Sequence, residues 1–322
     1  MKILVTGGSG FIGTNLVDDL LQHGHEVLIY DKQKSRHHPD STLVADVRDA
    51  DRLASSLEGI DVVYHLAAEH RDDVRPVSLY YDVNVGGARN LVDAAEKSGV
   101  RHIIFTSSVA VYGLNVGTPG EDSPLKPFND YSQSKARSEE VFKEWAGAGN
   151  GRSLVIVRPV VIFGERNRGN VYRLLRQIAS GGFLMVGNGG NRKSMGYVRN
   201  ISRFLVQLLE SETGVRVYNY ADKPDMRVDE LVRTARRAMG MKPRLNVRIP
   251  YPVGLLGGYA FDILSRITGR TYPISSIRIK KFAADTTVAA ERLKETGFVA
   301  PYSLEEGLRR MIESEFGQGI RD

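Results

Sequence analysis

Tyr131 and Lys135 are of the right types and spacing to move a proton. In Tyr131-Ser132-Gln133-Ser134-Lys135 they stand one helical turn apart, so a helix places phenol and ammonium on one face. The spacing alone proves little, since Tyr30 and Lys34 repeat it. Order along the chain separates the two pairs. The second lies downstream of a glycine-rich loop and of an apolar segment ending in Ser107-Ser108. A turn hydroxyl capping a strand end is the plain reading of either serine.

The loop is Gly7-Gly8-Ser9-Gly10-Phe11-Ile12-Gly13, directly after the apolar run that begins at Ile3. Gly7, Gly10 and Gly13 allow a tight turn and close backbone approach, and the helix that follows offers its N-terminal amides to a pyrophosphate. Asp31 closes the next apolar run, where a carboxylate can take both hydroxyls of an adenosine ribose. That favours NAD. Lys32, Lys34 and Arg36 follow closely and keep NADP open as the alternative. Asp46 can hydrogen-bond an adenine, with Val47 packing on the ring, or it can N-cap the next helix.

These groups need elements to position them. Strand-like runs at 3–6, 26–30, 42–45, 62–66, 103–107 and 154–158 alternate with helical patterns at 11–22, 50–56, 81–98 and 131–146. Such alternation predicts an α/β fold of Rossmann type, a doubly wound parallel sheet with helices on both faces. After Gly164 helices at 170–180, 201–211, 228–239 and 304–316 predict a smaller mixed α/β C-terminal cap. The expected boundaries are 1–165 for the dinucleotide-binding domain, with 198–220 packing back on it, and 166–322 for the cap.

Composition narrows the class. The chain has 322 residues, no cysteine and a net charge of +6, which suits a globular protein comfortable in a reducing cytoplasm. Met1-Lys2 runs straight into the first strand, so no signal peptide is expected. The apolar stretch from Tyr251 to Leu264 is too short to span a bilayer and carries Asp262; it predicts a buried or amphipathic helix, with peripheral membrane contact as a second reading. Basic residues gather at Arg166, Arg168, Arg173, Arg176, Arg192, Lys193, Arg199 and Arg203, either as solvated helix faces or as a site for a diphosphate. No aromatic-interleaved basic run points to nucleic acid, and no histidine has companion carboxylates at metal-ligand spacing.

Taken together, these segments resemble the NAD-dependent sugar epimerase/dehydratase family of the extended short-chain dehydrogenase/reductase superfamily. The resemblance is carried by residues 6–13, Asp31, Asp46-Val47, His65-Leu66-Ala67-Ala68, Asn84, residues 106–113, Tyr131 to Lys135 and Arg158-Pro159. It implies that Leu66, Ala67 and Ala68 pass under the cofactor, that Asn84 contacts it and that Pro159 lies near its nicotinamide end. It also implies a catalytic trio. Tyr131 is the acid/base, its pKa lowered by Lys135; Lys135 binds the nicotinamide ribose; and Ser108 holds the sugar oxygen.

Sugar 4,6-dehydratases of the family carry an Asp-Glu pair after the catalytic hydroxyl residue, and here those positions are Val109 and Ala110. Dehydration is therefore disfavoured. The resemblance implies a nucleotide-sugar 4-epimerase acting on a nucleotide-diphosphate sugar, with an NAD(P)H-dependent reductase of a 4-keto-6-deoxy nucleotide sugar as the alternative. A non-catalytic dinucleotide sensor is a third reading. Arg192 and Lys193, with Arg278 further on, are the candidate phosphate ligands, while Val161 stands where many relatives place a substrate-touching asparagine. A cytoplasmic homodimer, joined through residues 81–98 and 131–146, completes the expectation.

Overall fold

The computed structural model describes all residues except 72–73, 115, 150, 242–247, 270–271, 273–274 and 318–322, and also leaves out the side chain of residue 281. The chain forms two compact units. One comprises Met1–Ile162, Val198–Ala221 and Val288–Pro301; the other comprises Phe163–Tyr197, Asp222–Thr287 and Tyr302–Asp322. Val288–Pro301 thus joins the first unit, although the sequence reading left it in the cap.

The first unit is built on β1 (Lys2–Thr6), β2 (Glu26–Asp31), β3 (Thr42–Val44), β4 (Val62–His65), β5 (His102–Thr106), β6 (Ser153–Pro159) and β10 (Gly214–Tyr220). Their order in the sheet is β10-β6-β5-β4-β1-β2-β3, and every pairing is parallel. Parallel strands covered on both faces read as continuous apolar runs, which is why Ile3-Leu4-Val5 and Ile103-Ile104-Phe105 show little alternation. On one face Ile3 and Val5 meet Leu16 and Leu20 of α1 (Phe11–Gln22) and Phe204 of α7 (Val198–Gln207). On the other, Leu4 belongs with Leu53 of α2 (Ala50–Ser56), Leu91 of α4 (Gly87–Ser98), and Phe142 and Trp145 of α5 (Asp130–Gly147). Short helices α3 (Ser78–Tyr80) and α11 (Glu291–Glu295) complete this unit. Strand order reverses between β1 and β4. A ligand crevice opens at the carboxyl ends of such strands, and these ends lead into Gly7 and Leu66.

Residues 81–98 are not one α-helix as the periodicity predicted. Tyr81–Gly86 winds as a π-helical turn before α4 begins. The wider turn lets Asn84 reach two neighbours at once. Its amide accepts from Glu69 N at 2.8 Å and donates to Ser134 Oγ at 2.8 Å, while its backbone carbonyl accepts from Ser138 Oγ at 3.0 Å. Such turns recur at functional sites.

The middle of α5 is fixed by charge. Arg158 on β6 grips Glu139 through two hydrogen bonds of 2.9 and 2.6 Å, with both side chains buried. Burial opposes the Glu139 charge, but the Arg158 hydrogen bonds hold its carboxyl below the ordinary range. Arg158 also donates to the Tyr112 hydroxyl, which donates to Asn219 on β10. Removing one member of a buried pair strands the other charge. Glu139→Ala is therefore expected to destabilise the fold by about 3–5 kcal/mol. Urea denaturation checks this, and a change below about 1 kcal/mol would show the pair to be dispensable.

The second unit contains α6 (Asn170–Ala179), β8 (Met185–Val186), β9 (Arg192–Tyr197), β11 (Asp222–Arg227), α8 (Val228–Ala238), β12 (Arg248–Ile249), α9 (Tyr251–Thr268), α10 (Ser276–Ala283) and α12 (Leu304–Phe316); the short strand β7 (Val161–Phe163) spans the point where the chain leaves the first unit. Strands β9 and β11 pair antiparallel, and β8 and β12 pair parallel. Of the two readings for the apolar stretch at 251–264, the buried helix is overturned: Gly258 is the buried residue of α9. No helix among the described residues is long and apolar enough to cross a membrane.

Candidate active site

Helix α5 starts where its cap dictates. Asn129 Oδ1 accepts from Ser132 N at 2.9 Å and Ser132 Oγ accepts from Asn129 N at 3.1 Å, a reciprocal capping box. This puts Tyr131 in the first turn and Lys135 one turn later on the same face. Tyr131 lines a small cleft with Asn129, Asp130, Tyr80, Val77, Val74 and Arg75, and its ring lies 6.5 Å from that of Tyr80.

Lys135 is almost wholly buried. Its Nζ donates to the Thr106 carbonyl at the end of β5 at 2.6 Å and lies 4.3 Å from the centre of the Phe105 ring. Burial pulls its pKa down to about 7, against the attraction of Glu139. Ser108 follows two residues after Thr106, so one strand end supplies both the lysine's anchor and the candidate hydroxyl. Ser108 Oγ accepts from Ala110 N at 3.1 Å and caps the 3-10 turn Val109–Tyr112. Accepting that bond leaves the hydroxyl proton available to donate. Ser107 is buried while Ser108 is half-buried, which favours Ser108 for contact with a ligand.

The glycine loop has the shape a dinucleotide requires. Gly7 has φ +74°, and a Cβ there would stand 2.6 Å from Ala67 N. A Cβ on Gly13 would run into the Gly7 carbonyl. Gly10 is the N-cap of α1 and brings no side chain to it, leaving first-turn amides for an anion beside the half-buried Phe11 and Ile12. The cradle thus fits a pyrophosphate. Gly13→Ala is expected to weaken NAD binding by at least about tenfold. Calorimetric titration checks it, with a thermal melt confirming the fold; unchanged affinity would refute the packing argument.

Asp31 reaches into the same loop, its carboxylate accepting from Ser9 N at 3.0 Å and Gln33 N at 2.9 Å. It is held at the end of β2, where an adenosine ribose would lie. Lys32 pairs with Glu69 at 3.8 Å. Leu66, Ala67 and Ala68 run half-buried past the end of β4, and Pro159 ends β6.

One sequence reading changes. Asp46 does not cap α2: Asp49 does, accepting from Arg52 N at 3.1 Å, because the helix begins at Ala50. Asp46 is instead gripped by Arg48 at 3.0 and 2.7 Å, and that hydrogen bonding lowers its pKa. Val47 is buried in the core, where a Cβ on Gly87 would meet it. Asn84 is engaged by Glu69 and Ser134 and so ties β4's extension to α5.

In the second unit, Arg192 and Lys193 are neighbours on β9 while Arg278 lies on α10. Lys193 Nζ donates to the Ala284 carbonyl at 2.6 Å, and burial lowers its pKa to about 8. Arg192 is exposed, and Arg278 donates to the Tyr272 carbonyl. No cluster of metal-ligating side chains occurs among the described residues.

Sequence reasoning missed Glu139 and gave His65 no role beyond the segment that carries the resemblance. Glu139 falls one turn after Lys135 on the buried face of α5, a carboxylate where apolar residues are expected, and that was the available signal. His65 has its Nδ1 2.8 Å from Thr6 Oγ1, and burial, then the Lys135 charge, lowers its pKa to about 3.

Comparison with known proteins adds a family. The model described as the NAD dependent epimerase/dehydratase family matches residues 3–221. An N-acetyl-alpha-D-glucosaminyl-diphospho-ditrans,octacis-undecaprenol 4-epimerase of Escherichia coli O157:H7 is 52% identical over 100% of this chain and 97% of its own. A UDP-glucose 4-epimerase of Vibrio cholerae is 29% identical over 97% and 95%. The structure of a UDP-glucose 4-epimerase of Thermotoga maritima with UDP-glucose shares the fold, with a TM-score of 0.77, 23% identity and 98% coverage of each chain.

Proposed function

The chain belongs to the NAD-dependent epimerase/dehydratase family, and from that premise we propose that it is a 4-epimerase of a sugar carried on a diphosphate. The observation that carries the reading is the setting of Lys135. A buried lysine, anchored on the end of β5 two residues before Ser108, shares a helix face with Tyr131. A sensor has no use for such a relay.

Bound NAD supplies the hydride acceptor and donor for C4 of the sugar. Tyr131 takes the proton of the C4 hydroxyl and later returns one. Lys135, when protonated, favours the tyrosinate by its charge, and it holds the nicotinamide ribose. Ser108 donates to the C4 oxygen and steadies the 4-keto sugar while it turns its other face. Gly7, Gly10, Gly13 and Asp31 hold the pyrophosphate and adenosine ribose. Val109 and Ala110 exchange no protons, so the keto sugar is reduced rather than dehydrated. Arg192, Lys193 and Arg278 are the proposed diphosphate ligands, with exposed Arg192 the foremost.

Two carriers share this chemistry. The 52% identity over the full chain supports a polyprenol-linked N-acetylglucosamine, and the more distant UDP-glucose 4-epimerase supports a nucleotide-linked sugar. We favour the polyprenol. The test incubates the purified enzyme with polyprenyl-diphosphate N-acetylglucosamine in detergent and, separately, with UDP-N-acetylglucosamine, and measures the C4 epimer after acid release. Conversion of the lipid-linked sugar to an equilibrium mixture without consumption of NADH is expected. Steady NADH consumption with a 4-keto-6-deoxy nucleotide sugar, offered in a separate incubation, would establish a reductase instead, and conversion of the UDP sugar alone would fix the nucleotide carrier. Cytoplasmic location and homodimerisation through residues 81–98 and 131–146 belong to the same reading. Sedimentation velocity tests the dimer, and a monomer at micromolar concentration refutes it.

A further inference from the structure

Helix α9 turns its apolar side the wrong way for a core helix. Val253, Leu256, Ala260, Ile263 and Ile267 fall within about 80° of arc at 3.6 residues per turn. Leu256 is 70% exposed and Ile267 is 77% exposed, with Val253 and Ile263 above half. The opposite side does the packing. A Cβ on Gly254 would meet Val186 of β8, and one on Gly258 would meet the Ser276 backbone of α10 at 2.8 Å. The two glycines bring α9 close to its neighbours, and the stripe points away from them.

Charge frames the stripe. Arg266 on α9, Lys280 on α10 and Arg248 on β12 are all exposed. Lys280 Nζ lies 5.3 Å from the centre of the exposed Tyr259 ring, an aromatic at the stripe's flank. Asp262 is the one acid of α9, and it faces inward, accepting from Ser276 N at 3.2 Å. Ile277, half-exposed on α10, extends the apolar surface.

An apolar stripe with an aromatic flank and basic rim is the pattern of a helix lying in the interface of an anionic bilayer. Eighteen residues make a helix about 27 Å long, and it is not long and apolar enough to cross the bilayer. We propose that α9, with the basic side chains around it, docks the enzyme on an anionic membrane surface, its apolar stripe among the acyl chains and its arginines and lysine at the headgroup phosphates. The inference rests on the polyprenol reading in one respect: a lipid-linked sugar is presented at such a surface. The stripe and its charges stand independently of that reading.

Flotation of the full chain with large unilamellar vesicles tests the proposal, comparing pure phosphatidylcholine with a mixture containing phosphatidylglycerol. Binding is expected to the anionic vesicles and to weaken with salt. The double substitution Leu256→Asp and Ile267→Asp, at exposed positions, is expected to weaken it at least about tenfold. Arg266→Glu with Lys280→Glu is expected to abolish the preference for anionic lipid. A thermal melt confirms that the variants fold. Absence of flotation by the parent protein overturns the docking surface, as does flotation unaffected by the stripe substitutions. So does a parent dimer that the stripe substitutions split into monomers, since a second copy then covers the face. Docking and substrate separate cleanly. Vesicle binding without epimerisation of the lipid-linked sugar leaves docking intact and sinks the polyprenol reading, whereas epimerisation in detergent without vesicle binding does the reverse.

Discussion

Tyr131→Phe is expected to lower kcat by about 10²–10⁴ while leaving the fold and NAD affinity close to those of the parent. The change removes one oxygen from a half-buried side chain in the first turn of α5. Phenylalanine keeps the ring that lies beside Tyr80, and the capping box of Asn129 and Ser132 does not involve the hydroxyl. Stability should therefore move by no more than about 1 kcal/mol. The proposed chemistry, by contrast, routes the C4 proton through this hydroxyl; Asp130, which also lines the cleft, accepts from the Tyr81 hydroxyl. Single-turnover measurement with the lipid-linked sugar, beside a titration with NAD, separates the two effects. A kcat within threefold of the parent would remove Tyr131 from the proton path.

Lys135→Met carries the second large effect, and it runs in opposite directions for activity and stability. Turnover should fall by about 10² or more, because the phenol loses the neighbouring charge that favours its ionised form. The fold should gain. In the folded chain burial pulls Lys135 from 10.5 to about 7, so between those values the unfolded chain binds the extra proton and the folded chain does not. Stability therefore rises with pH across that window, and below about 7 the penalty of burying the charge is present in full. Methionine removes the penalty. The variant should melt above the parent at pH 6, by an amount worth a few kcal/mol at most, and the gap should close toward pH 10. Calorimetry without added NAD across that range tests the sign; a gap that widens with pH would show that the lysine is not buried as a charge.

Much of this arrangement could be read before any fold was known. The glycine loop, Asp31, Ser108 and the Tyr131–Lys135 pair owe their positions to local rules: strand ends, helix starts and a four-residue spacing. Other parts depend on chain segments far apart. Strand β10 pairs with β6 across some sixty residues, and its Gly214–Tyr220 sequence mixes Arg216 and Asn219 with valines and tyrosines, so it lacks the apolar run of an inner strand. Asn219 makes sense only where the Tyr112 hydroxyl and the Ala289 carbonyl meet it. The capping alternative for Asp46 failed because a carboxylate before a helix reads as its cap, and Arg48, two residues on, was the stronger partner. The stripe on α9 was visible as apolar spacing, but which side of the helix the protein covers is decided by Gly254 and Gly258 and their neighbours.

The π turn at Tyr81–Gly86 has a consequence for how this chain can tolerate length changes. A π turn is an α-helix carrying one residue too many, so deleting a single residue there would let the backbone close into ordinary winding. The shortened helix would be more regular, yet everything ahead of the deletion would be rotated by about 100° relative to α4. Asn84 would then miss either the Glu69 backbone or Ser134, and the first turn of α5 would lose its tie to the end of β4. The surplus residue acts as a phase offset, setting one face of the helix against α2 and another against α5. Insertions elsewhere in loops alter reach; a deletion in this short segment would alter aim.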